Sequence, residues 1–347
     1  MSAHTLSLIQ PDDWHLHLRD GDLMSSVLPF SSAIFARAIV MPNLNPPITQ
    51  INQAVAYKRR IKSALPGKQS FQPLMTLYLR NDMDSTIVQA AKKAGIVAFK
   101  LYPQGVTTNS SFGVRNPLAL ISILETMAEE GIILLVHGEV AQPHVDIFDR
   151  EAVFIEQFLL PIRERLPTLK IVLEHITTVE GVDFVQTYEH VAGTVTPQHL
   201  LFNRNQLFME GLRPHHYCLP ILKREYHRQA LIKAVTSSRY RQRFFLGTDS
   251  APHLRHHKEA QCGCAGIFNA IVAISVYAQI FEEVHQLAAL EGFASLNGPR
   301  FYGLPVNSSR IKLIKKPWQV PEFYAVPGGE LVPLLAGQTL AWQVSHD

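Results

Sequence analysis

Residues 95–139 read GIVAFKLYPQGVTTNSSFGVRNPLALISILETMAEEGIILLVHGE, and the unit they spell recurs along the chain. Ile96–Leu101 is a short, nearly continuous apolar run, the pattern of a strand buried on both faces. Gln104–Arg115 is rich in glycine and hydroxyl side chains and has few apolar anchors, so it reads as a loop. Pro117 opens a helical stretch to Glu130, with apolar Leu118, Ile121, Leu124 and Ala128 on one face and Gly131 at its end. Ile132–Val136 is a second buried strand. Strand, helix and strand in that order predict a βαβ unit with parallel strands. Each strand ends on an ionisable residue, Lys100 in the first and His137 after the second.

Working outward, the same alternation continues in both directions. Further strands are predicted at Thr5–Ile9, running on towards His17, and at Ala36–Met41, Phe71–Leu79, Lys170–Leu173, Val191–Val195 and Arg243–Leu246, which makes eight. Helices are predicted at Gln50–Leu65, Asp84–Ala94, Arg150–Leu166, Glu225–Val235 and Phe268–Val284, with Pro161 kinking or dividing the third. Eight strands alternating with helices predict an α/β protein, a (β/α)8 TIM barrel, as a single domain over residues 1–347. The proline-rich segment after Gly298 predicts an irregular tail packed on the barrel, and its apolar residues, such as Trp318, Phe323 and Trp342, argue against disorder.

With 47% apolar and 18% charged residues, the chain has a sizeable core to bury and is not disordered. Lys plus Arg is 32 against 29 for Asp plus Glu, with no basic block, so nothing points to nucleic acid. Three cysteines (Cys218, Cys262 and Cys264) are too few to staple a chain this long and suit a reducing, cytoplasmic setting. The N-terminal stretch is too acidic and polar for a signal peptide. The most apolar long stretch, Ala265–Phe281, carries Asn269, Ser275, Tyr277 and Gln279, which predicts a buried helix and no membrane span.

In a barrel of this kind the active site gathers at the carboxyl ends of the strands. His15, His17, Lys100, His137, His175 and Asp249 all fall at such ends. His15 and His17, two apart, share a strand face and suit a divalent metal, with Asp249 adding a carboxylate oxygen. His137 and His175 suit a second ion. An ammonium between two cations would be repelled, but a neutral Lys100 amine can take up carbon dioxide, giving a carbamate whose two oxygens could bridge the metals. Each signal alone has an ordinary explanation. H-x-H occurs on many exposed strands, a strand-end lysine usually snorkels to solvent, and Asp249 before Ser-Ala-Pro suits a helix cap. What favours metal chemistry is that all six fall at one end of one sheet.

Asp13-Trp14-His15-Leu16-His17, followed by Leu18-Arg19-Asp20, resembles the opening D-x-H-x-H motif of the metal-dependent amidohydrolase superfamily. MPNLNPP (Met41–Pro47), AFKLYP (Ala98–Pro103), TTNSSFGV (Thr107–Val114), LVHGE (Leu135–Glu139), EHITT (Glu174–Thr178), LGTDSAPH (Leu246–His253) and CGCAG (Cys262–Gly266) resemble the dihydroorotases, closest to their shorter, single-domain bacterial class. The likeness runs from the first strand past FYGLP (Phe301–Pro305), and no expected site position departs from the pattern.

This resemblance implies reversible interconversion of N-carbamoyl-L-aspartate and L-dihydroorotate in de novo pyrimidine biosynthesis. It implies two Zn2+ per subunit, one on His15, His17 and Asp249, the other on His137 and His175, with carboxylated Lys100 bridging them. A hydroxide shared by the metals would attack the ring amide carbonyl, and Asp249 would carry its proton to the departing nitrogen. Arg19, Asn43 and His253 would hold the substrate carboxylate, backbone groups near Leu219 and Ala265 would read the ring, and Thr107 and Thr108 would close over it as a lid. The family also implies a homodimer. A hydantoinase-like enzyme would share the metals without needing the carboxylate clamp. A non-catalytic assembly protein would be expected to have lost metal ligands. Cys262 and Cys264 read as loop packing beside the pocket, His256 and His257 as a solvated helix start, and His215 and His216 carry no assignment.

Overall fold

The computed structural model describes residues 5–67 and 69–345. In chain order its strands are β1 (Thr5–Ile9), β2 (Asp12–Leu16), β3 (Arg37–Val40), β4 (Gln72–Tyr78), β5 (Ala98–Leu101), β6 (Ile133–Val136), β7 (Ile171–Leu173), β8 (Val191–Val195), β9 (Phe244–Leu246), β10 (Arg310–Gln319), β11 (Tyr324–Val326), β12 (Gly329–Leu331) and β13 (Thr339–Val344). Strands β2 to β9 form one parallel sheet in sequence order. The sheet curls until its ends meet. Asp249 N–H donates to His15 O (2.9 Å), and His17 N–H donates to Ser250 O (3.1 Å). The expected eight-stranded barrel is therefore present, with helices in the connections between its strands.

Two expectations need correction. Thr5–Ile9 does not run into the barrel, because Pro11, which has no N–H to give to a ladder, separates it from β2. β1 is largely accessible and pairs antiparallel with β10, whereas β2 is buried throughout and is the first barrel strand. The segment after Gly298 is not irregular either. β10 joins β1 and β13 in a three-stranded antiparallel sheet, and β11 and β12 form a hairpin whose turn contains Gly328 at φ 86°. Pro317 falls where the β10–β13 register shifts, a place where a missing donor is tolerated. The many prolines punctuate short strands here.

The predicted helices form at Ile51–Ser63, Thr86–Lys93, Ile121–Glu130 and Glu225–Thr236. Pro117 opens a 3-10 turn just before the third, and Gly131 closes it in the left-handed region. Arg150–Leu166 is divided as expected, with a π-helical turn at Ile155–Leu159 immediately before the helix that carries Pro161. The last predicted helix begins later, at Ala273, because Ile267 and Phe268 are held extended by bridges to Ser250 and Pro333. Among the described residues no helix is long and apolar enough to cross a membrane.

Two apolar layers fix the barrel. Outward-facing residues such as Val40, Leu77, Phe99 and Leu134 pack under the helices in the larger cluster. A smaller cluster, including Trp14, Ile39, Leu74, Leu135, Val172 and Phe245, is the alternate set and fills the interior. Trp14 stacks on Tyr302 at 4.3 Å between ring centroids, next in sequence to His15. A Cβ added at Gly298 would lie 2.0 Å from Trp14 Nε1. Gly298→Ala is therefore expected to cost about 1–3 kcal/mol by overpacking. Urea denaturation checks it, and an unchanged midpoint would show that Trp14 is free to shift.

Candidate active site

The six predicted metal-site residues come together where the parallel strands end. His15 lies on β2 and Lys100 on β5. His137 is the first residue after β6, His175 the second after β7, and Asp249 the third after β9. His175 and Asp249 hold left-handed backbone angles, φ 40° and 47°. Side chains bearing a Cβ adopt that region at a cost, and it turns both groups into the barrel mouth.

Asp249 Oδ1 is the hub, 3.3 Å from His15 Nε2 and 3.1 Å from His17 Nε2. The two imidazoles lie 3.2 Å apart through the same nitrogens, as expected from their two-residue spacing. The His175 ring sits 5.1 Å from that of His15 and 4.7 Å from that of His137. His15, His175 and Asp249 also offer ligand atoms within 4.8 Å of one another, a wider grouping that links the two predicted ligand sets. Lys100, fully buried, makes a hydrogen-bonded ion pair with Glu174 and lies 4.8 Å from the centre of the Tyr102 ring.

Protonation states follow from this packing. Burial pulls the His17 pKa down to about 4 and lowers those of His137 and His175, keeping these imidazoles neutral. Burial alone would raise the Asp249 pKa, but His15, His17 and Lys100 pull it down to about 2. Burial also lowers the Lys100 pKa, against the pull of Glu174.

Hydrogen bonds then assign the ring nitrogens. Asn43 Nδ2 donates to Thr108 O (3.1 Å), so its Oδ1 faces His17 Nδ1 (2.9 Å) and accepts a hydrogen bond from its N–H. His137 Nε2 donates to Glu139 Oε2 at 2.8 Å. That leaves lone pairs on His17 Nε2 and His137 Nδ1, while the buried His175 Nδ1 has no hydrogen-bond partner. Neutral imidazoles with free lone pairs around an ionised carboxylate make a donor set that fits divalent cations.

A narrow cavity of about 20 Å³ opens over this cluster. Its lining includes His15, His17, Arg19, Asn43, Thr107, Thr108, His137, His175, Leu219, Asp249 and Ala265. Of the predicted site residues, only Lys100 and His253 stand behind the wall. His253 Nε2 meets Arg19 Nη2 at 2.8 Å, and burial, then Arg19, bring its pKa down to about 2. Arg19 lies beyond the strand that carries His15. β2 stops at Leu16, Arg19 takes φ 61°, and its Nε donates to Pro252 O (3.1 Å), which brings the guanidinium back over the cavity. Thr108 Oγ1 donates to Ala265 O (3.3 Å), and Asn109 Nδ2 to Asn43 O (2.9 Å), so the 104–115 loop lies across the mouth.

Three buried carboxylates that sequence reasoning passed over support the cluster. Glu174 Oε1 is 3.2 Å from His15 Nδ1 while its other oxygen meets Lys100. Glu139 orients His137. Asp13 accepts from the backbone N–H groups of His15 (3.1 Å) and Thr248 (2.8 Å), tying β2 to the segment that carries Asp249. All three stand within two residues of a predicted histidine, and that adjacency was the available signal. Elsewhere, His256 and His257 are exposed on the short helix Arg255–Lys258, as expected. His215 pairs with Glu259 (2.9 Å), and Cys262 is exposed.

A barrel with histidines and an aspartate at its strand ends defines the metal-dependent amidohydrolases, and residues 5–321 match the amidohydrolase family. The chain is 55% identical to the mitochondrial dihydroorotase of Arabidopsis thaliana, over 97% of its own length and 90% of that protein's. It is 54% identical to a dihydroorotase of Neisseria meningitidis serogroup C, covering 99% of both. The crystal structure of dihydroorotase from Campylobacter jejuni superposes with a TM-score of 0.91 at 35% identity, covering 100% of this chain and 99% of that one. The chain therefore belongs to the dihydroorotase family of cyclic amidohydrolases. Membership implies metal dependence, and the His15–His175–Asp249 grouping is the candidate centre. An L-hydantoinase from Arthrobacter aurescens shares 15% identity at a TM-score of 0.80, a likeness of fold alone.

Proposed function

We propose that this chain interconverts N-carbamoyl-L-aspartate and L-dihydroorotate in pyrimidine biosynthesis, using two zinc ions. The observation that carries this is one cavity holding both a metal-type donor set and, on its rim, an arginine that pairs with no carboxylate among the described residues. His15, His17 and Asp249 would hold one ion and His137 and His175 the other, with Lys100 joining them as its carbamate. Burial favours the neutral amine from which such a carbamate forms. Zinc bound there would polarise the ring amide carbonyl and lower the pKa of water towards neutrality.

The chain's own groups do the rest. Asp249, held ionised, would accept a proton from the attacking water and deliver it to the departing nitrogen as the ring C–N bond breaks, and the reverse order serves cyclisation. Arg19 offers its fork to the substrate carboxylate, with Asn43 and His253 beside it. Thr107 and Thr108 would cover the ring and shield the site from bulk solvent, leaving only the reacting water. The scarcity of cysteine points to a reducing compartment, the cytoplasm.

Comparing two cyclic substrates tests the assignment. L-Dihydroorotate is expected to be hydrolysed, and dihydrouracil, the same ring without the carboxylate, at least about a hundredfold more slowly in kcat/KM. Equal rates would favour a hydantoinase-like enzyme.

A further inference from the structure

Lys258 is a buried lysine outside the metal cluster, and no carboxylate forms an ion pair with it among the described residues. Its ammonium instead donates to three backbone carbonyls, those of Tyr217 (2.8 Å), Cys264 (2.7 Å) and Gly266 (2.7 Å). An ammonium has three N–H donors, and all three are used. The carbonyls belong to two separate segments, 217–219 and 264–266, which are also joined directly by Gly266 N–H donating to Tyr217 O (3.0 Å). Leu219 from the first and Ala265 and Gly266 from the second line the cavity.

The residues on either side of Ala265 thus turn their carbonyls to Lys258, while the carbonyl of Ala265 meets Thr108 Oγ1 and His253 Nε2 (3.1 Å). Arg19 can only donate, so His253 Nε2 accepts there and has no proton for Ala265 O. That oxygen keeps acceptor capacity at the cavity wall, where a ring N–H could use it. Glycine at 266 is also required, because at φ 142° a Cβ would fall 2.8 Å from Ala251 O.

We propose that Lys258 is a positioning residue for substrate recognition, holding the 217–219 and 264–266 segments so that the Ala265 peptide faces the substrate ring. It touches neither metal ligands nor reacting atoms, so its removal weakens binding more than chemistry. The inference rests on the proposed dihydroorotate reading of the cavity.

The test uses zinc-loaded wild type, Lys258→Met and Lys258→Arg, each checked for zinc content and thermal midpoint. For Lys258→Met the KM for L-dihydroorotate is expected to rise about tenfold or more with kcat within about threefold, and inhibition by orotate to weaken in parallel. Zinc content stays at the wild-type level. Lys258→Arg, which keeps the charge but changes the donor geometry, is expected to fall between the two. Unchanged KM in folded variants, or a fall in kcat at constant KM, overturns the proposal. Failure of both variants to fold overturns it too, since Lys258 would then serve the fold and not the site. Wild-type protein inert towards L-dihydroorotate would instead defeat the substrate reading itself.

Discussion

Asp249→Asn is expected to lower kcat for L-dihydroorotate hydrolysis by about a thousandfold or more. The wild-type carboxylate is ionised across the neutral range, since neighbouring imidazoles and Lys100 hold its pKa at about 2. An amide of the same shape accepts no proton and brings no negative charge to the hub shared by His15 and His17. Two losses therefore combine, in proton transfer and in metal affinity. Measuring zinc content alongside kcat separates them, because a fully loaded but inactive variant isolates the proton-transfer role. Retention of more than about a tenth of wild-type kcat would remove Asp249 from the chemistry.

Arg19→Met is expected to cost about 2–5 kcal/mol in kcat/KM, roughly thirtyfold to several thousandfold. Methionine keeps much of the arginine stem's volume but cannot donate, so a substrate carboxylate would enter a buried site without its partner. The backbone around Arg19 is independently anchored, since Tyr57 OH donates to Arg19 O. The loss should therefore reach substrate binding without unfolding the loop. Kinetics on dihydrouracil serve as the control, because a substrate without a carboxylate should be nearly indifferent to the change. Unaltered kcat/KM on L-dihydroorotate would exclude Arg19 from the clamp.

The barrel was legible because its strands are buried on both faces and so read as apolar runs set between helical stretches. That same criterion misplaced the first strand. Thr5–Ile9 looks more strand-like than Asp12–Leu16, whose polar residues are buried because Asp12 pairs with Arg37 while Asp13 and His15 serve the site. The C-terminal strands were hidden by prolines, which mark bends and register shifts here as well as loops. The metal-site cluster was legible because histidines at strand ends stand out against apolar neighbours. Its supports were not: Glu174 and Glu139 sit beside more conspicuous histidines, and no local pattern tells a carboxylate bonding Lys100 from one facing water. The left-handed turns at His175 and Asp249 were equally invisible, because neither position carries the glycine that usually signals such an angle. Lys258 has no pattern of its own, since its three partners are backbone carbonyls contributed by distant stretches of chain.

The most direct single measurement is hydrolysis of L-dihydroorotate by the purified zinc-loaded protein, run beside Lys100→Ala. Turnover in the wild type, lost in the variant together with bound zinc, is the predicted result. No turnover by metal-replete wild type, or undiminished turnover by Lys100→Ala, would contradict a dihydroorotase centre built around that lysine.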